Sequence, residues 1–179
     1  ILNAGSTRLT MDRNAIALDN ATINYNAGAS VTLLNSSIYS ISLSAGATLK
    51  IASPLVISSI AASTLRTYIK RGTQGLPTAL ISADPQKTLA FLENSRLHLT
   101  TFAGQTLASP FSQSLIQLAA PGDVDLNGTV DKSDLLAIYA NLNKSGASWL
   151  DGDVNYDEAV NLTDLAIVQS KIASSNSLS

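Results

Sequence analysis

One acidic pattern occurs twice near the C-terminus, thirty residues apart, and it restricts the possible folds more than any other feature. The first copy is Asp123-Val-Asp125-Leu-Asn127-Gly128-Thr129-Val130-Asp131-Lys-Ser-Asp134, and the second is Asp153-Val-Asn155-Tyr-Asp157-Glu158-Ala159-Val160-Asn161-Leu-Thr-Asp164. Asp or Asn stands at loop positions 1, 3, 5, 9 and 12 in both, and Val at position 8. Asp, Asn and Gly are ordinary turn residues, but ten oxygen-bearing side chains in one duplicated register exceed what a turn requires. A hard cation such as calcium takes about six to eight oxygen ligands at about 2.3–2.6 Å. This spacing lets each short loop wrap one ion, with the backbone carbonyl at position 7 closing the ring. The expected ligands are Asp123, Asp125, Asn127, Thr129, Asp131 and Asp134 for one calcium ion. Asp153, Asn155, Asp157, Ala159, Asn161 and Asp164 are those expected for a second.

Each loop is followed by an apolar stripe at spacings of three and four: Leu135, Ile138 and Leu142, then Leu165, Val168 and Ile172. This predicts two short helices, each beginning at its loop's last Asp. An ordinary EF-hand has a helix on both sides of its loop and Glu at position 12. Here Asp ends both loops, and Ala-Ala-Pro-Gly, which is not helical, precedes the first. This loop–helix, linker, loop–helix order resembles the type I dockerin, the calcium-dependent docking module of cellulosomes and other bacterial secreted proteins. The resemblance covers about 120–175 and implies a cohesin-like protein partner. In that family recognition rests on the two residues before the last loop Asp, commonly Ser-Thr in both repeats. Lys132-Ser133 and Leu162-Thr163 stand there instead and differ from each other, so symmetric two-way binding of a cohesin is not expected. Gly128 fills the sharp-turn position of the first loop, whereas the second has Glu158, which predicts a strained or differently shaped loop. With four carboxylates against three and no such strain, the first loop is expected to hold calcium more tightly.

The sequence has 179 residues, no cysteine and 13% charged residues. That length suits one medium domain and a small one. Without disulfides, core burial and metal must hold the fold. Residues 1–120 carry eight Lys/Arg against four Asp/Glu, and 121–179 carry three against nine. The acidic block would repel nucleic acid, and the basic residues upstream are scattered rather than clustered, so no nucleic-acid partner is expected. No apolar run reaches the length of a membrane span. The chain starts at Ile1 with no charged stretch before an apolar run. It is expected to be the C-terminal piece of a longer exported protein, extracellular or on a bacterial cell surface. Asn20, Asn35, Asn127, Asn143 and Asn161 head N-x-Ser/Thr sequons, read here as chance, since two of these residues are expected ligands.

Short alternating stretches fill the N-terminal portion: Arg8–Met11, Ala15–Leu18, Ala21–Tyr25, Ser30–Leu34, Ile38–Leu43 and Thr48–Ile51. Period two over four to six residues marks half-buried strands. Small-residue turns beginning at Gly5, Gly28 and Gly46 precede three of them at irregular spacing near twenty. That suits the stacked rungs of a β-solenoid and also a β-sandwich of short strands; the turn texture favours the solenoid. The expected fold is mainly β, a β-solenoid or short-stranded β-sandwich, followed by a small α domain with two calcium loop–helix repeats. Its expected segments are a solenoid-like stalk over 1–60, a small β-rich module with one short helix over 61–119, the dockerin-like domain over 120–175, and a disordered tail over 176–179. In the second segment Ser63 is a candidate cap for a helix over 64–71, with Leu65 and Ile69 inward and Gly72 as its stop. The stretches Ser63–Gly75, Lys87–Ser95 and Ser114–Leu118, with Trp149 before Asp151-Gly-Asp-Val-Asn-Tyr156, are similar to the C-terminal region of many secreted planctomycete proteins. In those proteins a small β-rich module precedes a dockerin-like pair. Asp84-Pro85 is a possible helix start, but the likeness implies a strand over Lys87–Leu92.

Catalytic chemistry is sparse. His98 is the sole histidine and sits in an alternating, strand-like stretch. No Cys exists to act as nucleophile or zinc ligand. Asp12, Asp19, Asp84 and Glu93 show none of the pairing a glycosidase needs, and no Gly-rich phosphate loop is present. Arg66, Lys70 and Arg71 read as a solvated helix face. The expectation is a non-enzymatic structural or docking module. Two alternatives stand beside it: a calcium clamp packed on its own β-part or on neighbouring copies, and the tail of a polysaccharide-degrading enzyme whose catalytic domain lies upstream.

Overall fold

The computed structural model describes the backbone of 2–4, 9–11, 22–25, 31–33, 36–38, 40–43, 45–107 and 112–176, and side chains within 41–43, 45–107 and 112–174. The strand expected at 15–18 and the turns expected at Gly5 and Gly28 lie outside these residues, as do 177–179 of the expected tail.

Eight short strands come first: β1 (Leu2–Ala4), β2 (Leu9–Met11), β3 (Thr22–Tyr25), β4 (Val31–Leu33), β5 (Ser36–Ile38), β6 (Ser40–Leu43), β7 (Thr48–Ile51) and β8 (Leu55–Ile57). They pair in parallel with strands about twenty residues away. Ile23 lies opposite Leu2 and Ile41, Leu33 opposite Met11 and Ile51, and Ile38 opposite Ile57. Each pairing brings like residues into one row, so the loose repeat in the sequence becomes a row of aligned Ile and Leu positions. Leu55, Val56 and Ile57 are all buried because both faces of β8 are covered: Leu55 and Ile57 belong to the large apolar core, and Val56 to a second cluster with Leu92, Phe102, Leu107 and Leu115. A strand covered on both faces loses its alternation, which is why the period-two pattern does not reveal it.

Helix α1 (Ala62–Thr73) follows, and β9 (Ala79–Ser82) then joins β7 in parallel. Leu65 and Ile69 are buried, as the spacing predicts, each contributing about 1.5–3 kcal/mol of apolar burial. Gly72 is not the stop. It lies within α1, where an added Cβ would stand 2.1 Å from the Leu80 carbonyl oxygen, so it is the point of closest approach of α1 to β9. The helix ends one residue later, at Thr73: Leu76 N–H donates to Arg71 O and Gly75 N–H to Gly72 O, a Schellman closure with Gly75 at positive φ. Ser63 is not the cap either, since Ala61 holds that place without a side-chain bond.

Strand β10 (Thr88–Glu93) pairs antiparallel with β13 (Ser114–Ala119), which pairs antiparallel with β8. The strand expected over Lys87–Leu92 is present. Between β10 and β13 lie the four-residue helix α2 (Asn94–Leu97) and a hairpin of β11 (Thr101–Phe102) and β12 (Gln105–Thr106). His98 is not on a strand: it closes α2 at φ 54, its N–H bonded to Asn94 O. Strands β9 and β13 complete sheets begun before residue 60, so two of the described sheets continue past the change in sequence texture.

The C-terminal part contains α3 (Lys132–Asn141), a 3-10 turn at Trp149–Asp151, and α4 (Leu162–Asn176). Both long helices start two residues before the final loop Asp, because that Asp is the third helical residue and its carboxylate reaches back to the cap. Helix α4 also runs into the expected tail, through Asn176. One apolar core joins the two parts: Leu49, Ile57, Leu65 and Phe91 belong to the same buried cluster as Val124, Ile138, Trp149, Tyr156 and Val168. Among the described residues no helix is long and apolar enough to cross a membrane.

Candidate metal centre

Both loops are built by one hydrogen-bond pattern. In the first, Asp134 is fully buried, and its Oδ1 accepts from Val124 N at 2.6 Å and Asp125 N at 3.3 Å. Its Oδ2 accepts from Asp131 N at 2.8 Å, closing the capping box of α3. In the second, Asp164 takes Val154 N and Asn155 N on Oδ1 and Asn161 N on Oδ2, at 3.0, 3.3 and 3.0 Å. Position 1 accepts the N–H of position 6 in both: Gly128 N to Asp123 Oδ2 and Glu158 N to Asp153 Oδ2, each 3.0 Å. Positions 3, 5 and 9 each accept the N–H two residues on, from Asn127, Thr129 and Ser133 in the first loop and Asp157, Ala159 and Thr163 in the second. These local bonds turn the oxygens of all ten Asp and Asn residues into two tight loops. Ala159 could serve a metal only through its carbonyl; at Thr129 the hydroxyl is engaged with Asn127 Oδ1 at 2.7 Å and Asp131 Oδ2 at 3.2 Å, which leaves the carbonyl as the expected ligand.

The first loop gathers one carboxylate oxygen each from Asp123, Asp125 and Asp134 within 4.8 Å of one another. Asp123 Oδ1 is buried and no hydrogen-bond donor reaches it. A buried carboxylate oxygen facing two other carboxylates without a donor is unfavourable unless a cation joins them, so these residues fit a hard divalent ion. Burial raises the carboxyl pKa of Asp123, with Asp134 and Asp125 adding to the effect against the opposing Gly128 N–H bond. In the second loop burial pushes Asp153 up to about 6, with Asp164 and Asp157 contributing. Asp164 is raised as well, chiefly by burial. Asp157 moves the other way: burial would raise it, but amide donors from Asn155 and Asn161 outweigh that and lower it. The second loop replaces two carboxylates with Asn155 and Asn161, whose amides bond Asp157 Oδ2 at 3.0 Å each.

Glu158 sits at φ 68 where Gly128 sits at φ 95, so the second loop keeps the shape of the first at the expense of a left-handed non-glycine residue. Its backbone is held on the far side by the 143–147 segment. Asn143 N bonds Val160 O, Val160 N bonds Lys144 O, and Ala147 N bonds Glu158 O, at 2.8, 2.9 and 3.1 Å.

Several residues that matter here give no signal in the loop pattern. Trp149 is buried, its Nε1–H donates to Asp123 O at 2.8 Å, and its ring lies 5.8 Å from that of Tyr156. Tyr156, at loop position 4, sends its hydroxyl to β10, donating to Leu89 O and accepting from Phe91 N at 2.9 Å. Arg66 is not solvated. It donates to Ala147 O and pairs with Glu93, both at 3.0 Å, with its guanidinium 5.7 Å from the Phe91 ring. Asp151 pairs with Arg96 at 3.0 Å and Lys144 at 2.6 Å. Burial would raise its pKa, but these cations and the Ser148 donors outweigh that and hold it well below the usual carboxylate range. An aromatic residue in Tyr156's place, where the first loop has Leu126, is the one hint the sequence offers.

The geometry is that of a duplicated acidic loop–helix unit whose first loop can hold a metal ion. Residues 121–173 match the family model of the dockerin type I domain. Such domains are non-catalytic, bind cohesin partner modules, typically bind calcium, and occur in secreted and cell-surface proteins. No curated protein and no solved structure matches the chain.

Proposed function

We propose that this chain is a non-enzymatic, extracellular attachment module of a bacterial surface or secreted protein, whose dockerin-type part is completed by two calcium ions. Asp123, Asp125, Asn127, Asp131 and Asp134 with the Thr129 carbonyl take one ion. Asp153, Asn155, Asp157, Asn161 and Asp164 with the Ala159 carbonyl take the other. The observation that carries this reading is the donorless buried Asp123 Oδ1 beside Asp125 and Asp134; the second loop repeats the turn bonds, with Asp153 Oδ1 accepting from Asp157 N at 3.1 Å. Calcium neutralises the gathered carboxylates, so its binding free energy becomes folding free energy for this part. A protein partner would meet the exposed beginnings of the two helices, where Lys132, Ser133, Leu136 and Tyr139 of α3 lie open, and Leu162 and Thr163 of α4. The parallel rows at offsets near twenty support a solenoid-like stack for the β-part, the arrangement of a stalk. Its texture is also that of the module preceding such pairs in secreted planctomycete proteins.

Calorimetric titration of the whole chain should count two calcium ions, and an immobilised cohesin should retain the chain in calcium and release it in chelator. A chain that takes up no calcium defeats the reading. Contacts from Tyr156, Arg66 and Arg96 between the two parts favour a second reading, in which the pair clamps its own β-part; tight calcium binding without capture of any cohesin is its signature. If the parent gene encodes a polysaccharide-degrading domain upstream, the module is that enzyme's tail, and the same chemistry attaches the enzyme.

A further inference from the structure

Among the described residues strand β10 is the end strand of its sheet, hydrogen-bonded to β13 on one side only. On its other edge the Phe91 N–H and the Leu89 carbonyl form the pair of groups that a next strand would satisfy. The phenol of Tyr156 takes that place, accepting from Phe91 N and donating to Leu89 O, in a site where Tyr156 is buried. Tyr156 is also part of the second loop: its own φ is 64, and it lies between Asn155 and Asp157, both expected ligands. Two further contacts hold the same loop from the β-part. Arg66 binds Ala147 O, and Ala147 N binds Glu158 O. Arg96 binds Asp151, two residues before Asp153. The first loop meets the β-part differently: Leu126, at the position of Tyr156, packs on the apolar cluster of Val56, Leu92, Phe102, Leu107 and Leu115. Hydrogen bonds of this kind to it are absent among those described, and its polar tie runs from Trp149 to Asp123 O.

We infer that the β-part is a component of the second calcium site: Tyr156, a positioning residue, couples metal affinity in that loop to the covering of the β10 edge. The inference rests on the calcium reading above. The Tyr156 hydroxyl fixes the turn between positions 3 and 5 from outside, so the ligands at those positions are preorganised only while the loop rests on β10. Preorganisation raises affinity by removing ordering costs from the binding step. Coupling of this kind is reciprocal: whatever factor β10 adds to calcium affinity, calcium must add to the closing of the β10 edge. The strained Glu158 and the two neutral Asn ligands weaken the second loop, and support from β10 compensates for them.

The test is calorimetric titration with calcium of five full-length chains: wild type, Tyr156→Phe, Arg66→Ala, Asp123→Ala and the exposed-tyrosine control Tyr139→Phe. Tyr156→Phe should weaken one class of site about tenfold, the size of one lost buried hydrogen bond, and leave the other within twofold. Arg66→Ala, which removes the contact to Ala147 and no expected ligand, should shift the same class in the same direction, and Tyr139→Phe should shift neither. The affected class should be the one that survives in Asp123→Ala. Hydrogen exchange supplies the reciprocal readout: calcium should slow exchange of the Phe91 amide in wild type, and the protection should fall in Arg66→Ala. Unchanged affinities in Tyr156→Phe overturn the inference. So does loss of both classes together, because Tyr156 would then support the whole dockerin-type part and not one site. If wild type binds no calcium, the calcium reading itself fails, a result distinct from calcium binding that ignores Tyr156.

Discussion

Glu158 and Gly128 occupy one position in two copies of one loop, which makes them a controlled comparison of backbone strain. A left-handed non-glycine residue carries strain of about 1 kcal/mol or more, and the Glu158 carboxylate is exposed and screened by salt. Glu158→Gly is therefore expected to tighten the second site about fivefold, read by calorimetric titration against an unchanged first site. Asp153 yields a pH prediction. Its pKa in the fold, about 6, lies above its unfolded value near 3.8, so the metal-free folded chain binds more protons than the unfolded chain between those limits. Stability in chelator should accordingly be higher at pH 5 than at pH 7, falling as pH rises through about 6. Asp123 and Asp164, also raised, act in the same sense. Asp151, with its depressed pKa, is ionised across that window, and its contribution is lost only as pH falls through the acid range. Calcium displaces the proton, so in excess calcium the slope should flatten or reverse; urea melts at the two pH values, with and without metal, give the check.

Helix α1 illustrates how a residue's place in an element changes its meaning. Glycine near the end of an apolar-periodic run reads as a stop, yet Gly72 lies one residue before the last helical position and serves contact with β9. Gly72→Ala would gain helix propensity but place a methyl group against the Leu80 carbonyl. Overpacking of this kind costs about 1–3 kcal/mol or more, so the expected result is net destabilisation in a denaturant melt. Gly75→Ala, with open space around its added Cβ, would meet only the strain of its positive φ. In β8 the same rule operates on periodicity: Leu55, Val56 and Ile57 lose the alternating pattern because Leu55 and Ile57 pack into one apolar cluster and Val56 into another.

The two parts of the molecule share a core that runs from Leu49 and Phe91 to Trp149, Tyr156 and Val168. Loss of metal should therefore be felt beyond the loops. On the proposed reading, two sites at about a hundredfold excess of calcium over Kd would stabilise the chain by about 5 kcal/mol together, which corresponds to roughly 10–20 °C in Tm for a chain of this size. Chelator should lower Tm by that amount, and Trp149 fluorescence and far-ultraviolet dichroism should move together. Separate transitions, with the β signal unmoved, would show that the shared core does not couple the parts.

What the sequence determined by itself is what depends on near neighbours. The loops close through bonds from each Asp or Asn to N–H groups two to ten residues away, and this spacing is written directly in the chain. The repeat at thirty residues and the stripes of Leu135 and Ile138, or Leu165 and Val168, likewise need only helical geometry and local bonds. Strands β2, β3, β4 and β7 follow from alternation, within a residue or two of the expected bounds. Only the tertiary structure decided where the two parts meet. Tyr156 reaches Leu89 and Phe91 across more than sixty residues, Arg66 reaches Ala147 across eighty-one, and Gly72 lies against a strand that follows it after a turn. Such contacts follow no period, because they are set by how sheets and helices pack once formed. The chemistry of the loops is a local pattern, and the partner each loop rests on is a property of the packed whole.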